Sequence, residues 1–249
     1  MLKLFKLLLL VALTNCTVSA EVIRLASSNY DPHYGERLAH QGATIEIIRQ
    51  AFALQDIQLE VDFLPFARAL YESQQGHYTG LAAAWYSEQR TAHFYYSQPL
   101  YANKIVFFKR KKDTIRFQNY QELRSQHRRL GVVQGYAQPA GLLESGLNTI
   151  SVATDEQALA MLALQRVDLV PVDLMTALYI LEFKLPQYQQ QLDWLTPELE
   201  QRPMYLVLSK KDPANMQRIA RFNLGLQQLR ASGQYQHIID TLLPQYVKE

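Results

Sequence analysis

The chain reads as an α/β protein of two lobes, and three features of its hydropathy pattern say so. Strand-like alternation and helix-like periodicity take turns through residues 22–84, and the same rhythm restarts after a basic turn at 109–112. A strand and two closing helices then return after residue 204. A pattern that is interrupted, repeated and resumed places the second lobe as an insertion in the first, each lobe a mostly parallel sheet flanked by helices.

Residues 22–26 alternate and predict a strand. Residues 44–54 put Ile45, Ile48, Ala51 and Phe52 on one face, as an amphipathic helix does. Residues 57–63 alternate almost without a break, which marks a half-buried strand. A helix over 67–75 is closed by Gly76, and a short apolar strand follows at 80–84. Beyond the basic turn the pattern predicts a helix over 120–125, strands at 130–133 and near Ile150, and a helix over 155–164 capped by Thr154. A strand at 168–172, a helix over 174–183, a strand at 204–208 and helices over 214–230 and 235–243 complete the series.

The first twenty residues carry Lys3 and Lys6, an apolar run over 7–13 and the small residues Val18-Ser19-Ala20, the pattern of an export signal cleaved after Ala20. That run is far short of the ~20 apolar residues needed to span a bilayer. Cys16 is the only cysteine, and Leu13-Thr14-Asn15-Cys16 lacks the small residue that precedes a lipidated cysteine; lipidation there is the alternative to cleavage after Ala20. The formal charge of +2 is supplied by Lys3 and Lys6, so the remaining chain balances its 23 acidic residues. An exported, neutral chain lacks the clustered positive charge that nucleic-acid binding needs, which excludes that class. The basic residues at 109–112, with Arg124, Arg128 and Arg129, read as a solvated turn and an exposed helix face.

The densest information lies between Pro65 and Tyr101. Pro65-Phe66-Ala67-Arg68 precedes the helix that ends at Gln75-Gly76; after the 80–84 strand come Trp85-Tyr86-Ser87-Glu88-Gln89-Arg90 and Tyr95-Tyr96-Ser97-Gln98-Pro99-Leu100-Tyr101. That order of parts resembles the family 3 periplasmic solute-binding proteins, whose text here runs Trp-x-Arg, a helix ending in Gly, a strand, Thr-Pro-Glu-Arg and Phe-Ser-x-Pro-Tyr. The resemblance covers essentially the whole chain after residue 20. It implies a type II periplasmic-binding-protein fold, with lobe one formed by residues 21–106 and 205–249, lobe two by 107–204, and a ligand cleft between them.

By that resemblance Arg90 is the clamp for a ligand carboxylate, a task for which the guanidinium fork is suited and a lysine is not. The plainer alternative is a surface arginine paired with Glu88 or with a carbonyl. On the clamp reading Arg90→Ala is expected to abolish the ligand response while leaving the unliganded melting point almost unchanged, since an exposed arginine contributes little to folding. Asp173, ending the 168–172 strand, stands where amino-acid binders keep the carboxylate for an α-ammonium, and that is the role expected of it; the competing role for the same oxygens is to cap the following helix. Tyr30 corresponds to an aromatic lying over the ligand. Phe66 and Trp85 are candidate cleft walls, with core packing as the alternative for Phe66. Gln134, Tyr136 and Ala137 belong to a lobe-two loop that meets the carboxylate in the family.

The departures are informative. Ala83 and Trp85 replace serines, Ala137 replaces a frequent threonine, and Thr79 stands in place of an acidic residue, which points to a less polar and more aromatic pocket. The six histidines lack metal-site spacing, there is no Gly-x-Ser-x-Gly elbow, and neither metal nor cofactor is expected. The expectation is therefore a monomeric periplasmic protein that closes on an amino acid or related carboxylate, without chemistry, and delivers it to an inner-membrane ABC permease or a membrane sensor. A dehydratase-like enzyme on the same fold is the alternative.

Overall fold

The structure, a computed structural model, describes residues 21–243. The expected export signal and Cys16 lie outside the described residues. In chain order the elements are β1 (Glu21–Ser27), α1 (Ala43–Ala53), β2 (Ile57–Phe63), α2 (Phe66–Gln75), β3 (Gly80–Trp85), α3 (Glu88–Thr91), β4 (Phe94–Tyr96) and β5 (Ala102–Arg110). They continue as α4 (Tyr120–Ser125), β6 (Arg129–Val133), β7 (Asn148–Val152), α5 (Asp155–Ala163), β8 (Val170–Asp173) and α6 (Leu174–Tyr179). The last are β9 (Leu192–Trp194), β10 (Glu200–Ser209), α7 (Asn215–Ala231) and α8 (Gln234–Leu242).

β1 pairs in parallel with β2 from Glu21↔Ile57 to Ser27↔Phe63, and on its other side with β3. Parallel neighbours need crossovers, which α1 and α2 supply. The apolar stripe of α1 is buried, Ile45, Ile48, Ala51 and Phe52 included. It packs on α7, where the Phe52 and Phe222 rings lie 5.0 Å apart. Gly225 permits that approach, since a Cβ there would stand 1.9 Å from the Ala51 carbonyl oxygen.

The main sheet has the order β2-β1-β3-β10-β5-β8, with β4 beside β10 and β9 beside β5. β10 is shared by the two halves. Its first residues pair with β5, from Glu200↔Ile105 to Pro203↔Ala102, and its later ones with β3 and β4. The parallel pair β6-β7 meets the chain just before β8 through the bridge Leu130↔Leu169. The buried clusters divide in the same way. Leu25, Ile48, Phe52 and Phe222 share one core, and Phe108, Leu159, Leu162 and Val172 share another. Tyr136, from the loop after β6, packs on the first core.

Two expectations need correction. The stretch at 109–112 is not a wholly solvated turn, because β5 continues to Arg110 and buries its side chain. Arg110 donates to the Leu162 and Val167 carbonyls at 3.1 and 2.6 Å and pairs with Asp113 and Asp168, so two carboxylates balance its desolvated charge. The helix expected over 174–183 is α6 followed by a π-helical turn, Ile180–Lys184.

Candidate functional site

Side chains from both halves meet in one cleft. Ala83, Ala84 and Trp85 come from the end of β3, Arg90 from α3, Tyr30 and Tyr34 from the segment after β1, and Phe66 from the start of α2. Met204 comes from β10, and Tyr136 and Ala137 from the loop after β6. Together they line a residual cavity of about 20 Å³, room for little more than a water. The protein's own rings fill the rest. Tyr136 stands edge-on to Phe66 at 5.0 Å, to Trp85 at 5.4 Å and to Tyr30 at 6.1 Å. Its hydroxyl donates to Asp155 Oδ2 at 3.0 Å.

Arg90 is only 7% exposed. Its Nη1 donates to the Trp85 carbonyl at 3.0 Å and its Nη2 to the Gly135 carbonyl at 2.6 Å, so it already spans the two halves. The guanidinium lies 5.7 Å from the Phe66 ring centroid. Among the described residues it forms no ion pair; the pairing with Glu88 is not made, whereas the carbonyl contacts of the plainer alternative are, on a buried rather than a surface arginine. Burial pulls its pKa below the usual guanidinium value. A buried cation bonded only to neutral carbonyls keeps its positive field available to an anion.

Asp173 takes the capping alternative and does not line the cavity. It is 1% exposed, and both its oxygens are engaged. Oδ1 accepts from the Thr176 amide at 2.9 Å and from His33 Nε2 at 2.8 Å, while Oδ2 accepts from the Lys104 amide at 3.1 Å. Burial would raise its pKa, but its contact with His33 and its hydrogen bonds to Thr176 outweigh burial and hold it below the ordinary carboxylate value. His33 is held at its other nitrogen too, 3.1 Å from the Tyr101 hydroxyl, which in turn lies 2.6 Å from Thr44 Oγ1. Asn103, also in contact with His33, accepts from Trp85 Nε1 at 2.8 Å and so fixes the indole wall.

Of the predicted site residues, Tyr30, Phe66, Ala83, Trp85, Arg90, Tyr136 and Ala137 line the cavity; Asp173 and the exposed Gln134 do not. Sequence reasoning missed Tyr34, Met204, His33, Asp155 and Arg202. Arg202, at the β5–β10 crossing, lies 5.3 Å over the Trp85 ring, donates to the Ala137 and Gln138 carbonyls and pairs with Glu200. Lys184 reaches Asp31 at 2.8 Å, another tie between the halves. Asp155 is pushed up to about 7 by burial and by the nearby charge of Asp173, against the Tyr136 hydrogen bond that favours its ionised form.

Residues 23–245 match the family described as bacterial extracellular solute-binding proteins, family 3. No curated protein matches the chain in sequence. Solved structures share the fold at low identity. A histidine kinase sensor domain with similarity to periplasmic binding proteins is 19% identical, with TM-score 0.79 over 90% of this chain and 97% of that one. A mutant of the ArgBP protein from T. maritima is 17% identical, with TM-score 0.74 over 89% and 94%. The ancestral amino acid-binding protein AncCDT-1, a precursor of cyclohexadienyl dehydratase, is 14% identical, with TM-score 0.72 over 90% and 96%. With the family match running across both halves and the cleft between them, the chain belongs to the bacterial extracellular solute-binding proteins of family 3.

Proposed function

We propose that the protein is a periplasmic binding protein that captures a small carboxylate-bearing solute between its lobes, with an amino acid as the family's usual ligand. It hands that ligand, or the closed shape that the ligand stabilises, to an inner-membrane ABC permease or a membrane sensor. It acts as a monomer without chemistry, and lobe two is the segment from 107 to 204. The observation that carries the reading is Arg90, a buried guanidinium in an aromatic cleft that meets carbonyls from both halves and no carboxylate among the described residues. Closure follows when a ligand binds the closed form better than the open one.

A thermal-shift panel of small carboxylates and amino acids tests it. A ligand at 100 times its dissociation constant stabilises by about 2.7 kcal/mol. In Arg90→Lys the charge remains but the fork is gone, and that stabilisation is expected to fall below about 1 kcal/mol at the same ligand concentration. A full response in the lysine variant rejects Arg90 as the clamp. Because Arg90 is buried and bonded, Arg90→Ala is also expected to cost the unliganded protein about 1–3 kcal/mol, contrary to the expectation for a surface arginine.

One observation favours a second reading, a dehydratase-like enzyme. Asp155, held near 7 behind Tyr136, is a carboxyl able to exchange a proton at neutral pH. Incubation with carbocyclic acids and chromatography of the products separates the two readings, since turnover belongs to the enzyme alone.

A further inference from the structure

Every polar side chain on the cavity wall is a donor. Arg90 is one. The Tyr30 hydroxyl is another; Tyr30 is 4% exposed, and its hydroxyl has no hydrogen-bond partner among the described residues. Burial, reinforced by nearby negative charge, raises the Tyr30 and Tyr136 phenols well above their ordinary value, so they stay protonated. Among the described residues, no acidic side chain lines the cavity.

The acid that would hold an ammonium is already committed. Asp173 has His33 as its partner, and an incoming ammonium would have to displace a buried imidazole held at both ring nitrogens. The other acid nearby, Asp155, is engaged by Tyr136 and divided between its charged and neutral forms at neutral pH, which makes it a weak anchor for a cation. Around the donors the wall is apolar or aromatic, with Phe66, Trp85, Met204, Ala83 and Ala84. It already accommodates a six-membered ring, that of Tyr136.

We propose that the site takes an organic carboxylate with an aromatic body and no ammonium group, its carboxylate on Arg90 and the Tyr30 hydroxyl and its ring where the Tyr136 ring now stands. The inference rests on the binding reading above and narrows it. The Tyr136 loop withdraws as the ligand enters, since 20 Å³ admits no ring. His33 is then the residue that turns a zwitterion site into a site for simple acids, because it occupies the Asp173 carboxylate from within.

Calorimetric titration with matched probes tests the inference. 3-Phenylpropanoate and L-phenylalanine differ only by the ammonium, phenethylamine lacks the carboxylate, and hexanoate lacks the ring. 3-Phenylpropanoate is expected to bind at least tenfold more tightly than each of the other three. L-Phenylalanine binding as tightly or more tightly overturns the ligand class while leaving solute binding intact. Hexanoate as the best ligand overturns the aromatic part. Silence from all four probes overturns the inference, whereas a shift with some other amino acid in the thermal panel still sustains the binding reading. Asp173→Asn is expected to keep 3-phenylpropanoate affinity within threefold, and its loss in a variant that melts normally counts against the assignment. His33→Leu, which strips Asp173 of its imidazole partner, is expected to raise L-phenylalanine affinity about tenfold; if that variant does not fold, the probes on the unaltered protein decide.

Discussion

Asp155 at the start of α5 carries a conflict that a pH titration exposes. A carboxylate suits a helix amino end, yet burial wins and lifts its pKa from 3.8 to about 7. Between those values the folded protein holds a proton that the unfolded chain releases, so stability is greatest at the acid end of the window. It declines as pH rises through 7, by about 4 kcal/mol at most. Melting temperature is therefore expected to fall between pH 5 and pH 8, and Asp155→Asn, which can still accept from Tyr136, is expected to flatten that slope. A slope equally steep in the asparagine variant removes Asp155 as its cause. Arg90 was legible because its motif is contiguous, whereas the orientation of Asp173 was not. Its position after an apolar strand was plain, but its oxygens are claimed by His33, 140 positions away, and no local pattern reports that pairing.

At the scale of elements, the close pass of α7 over α1 has a sharp test. Gly225→Ala gains helix propensity, roughly 1 kcal/mol, but drives a Cβ against the Ala51 carbonyl. Overpacking dominates, and the variant is expected to lose about 1–3 kcal/mol by urea denaturation, with the midpoint lowered and the slope unchanged. A midpoint at or above that of the parent shows that the helices part without cost. Long periodic elements were read almost to the residue, and β2 coincides with its predicted span of 57–63. Short ones escaped, because the three residues of β4 or β9 offer too little alternation to register. β5 escaped for another reason. Its lysines and Arg110 resemble a surface turn until a tertiary partner, here Asp168 with the Leu162 and Val167 carbonyls, shows where the charge is satisfied.

Over the whole molecule, the two-lobed plan was visible in the interrupted and resumed α/β rhythm, but the degree of closure was not, since it depends on contacts between distant residues. Arg90 on Gly135, Arg202 over the Trp85 ring, and Lys184 on Asp31 all join the halves. Removing two of these ties in a Lys184→Ala, Arg202→Ala double variant is expected to raise the radius of gyration in small-angle scattering while the far-ultraviolet dichroism stays constant. An unchanged radius shows that the aromatic contacts alone hold the closure. β5 and β10 run side by side where the halves join, and their ribbon is the natural pivot. On a swinging door, points next to the jamb hardly travel. Asn103 and Lys104 lie in that ribbon, and Asp173 pairs in register with Ile105, so the His33 imidazole is anchored near the axis while the rim sweeps through a wide arc. In a magnetic-resonance titration its ring signals become the stationary mark against which the movement of every other aromatic is measured.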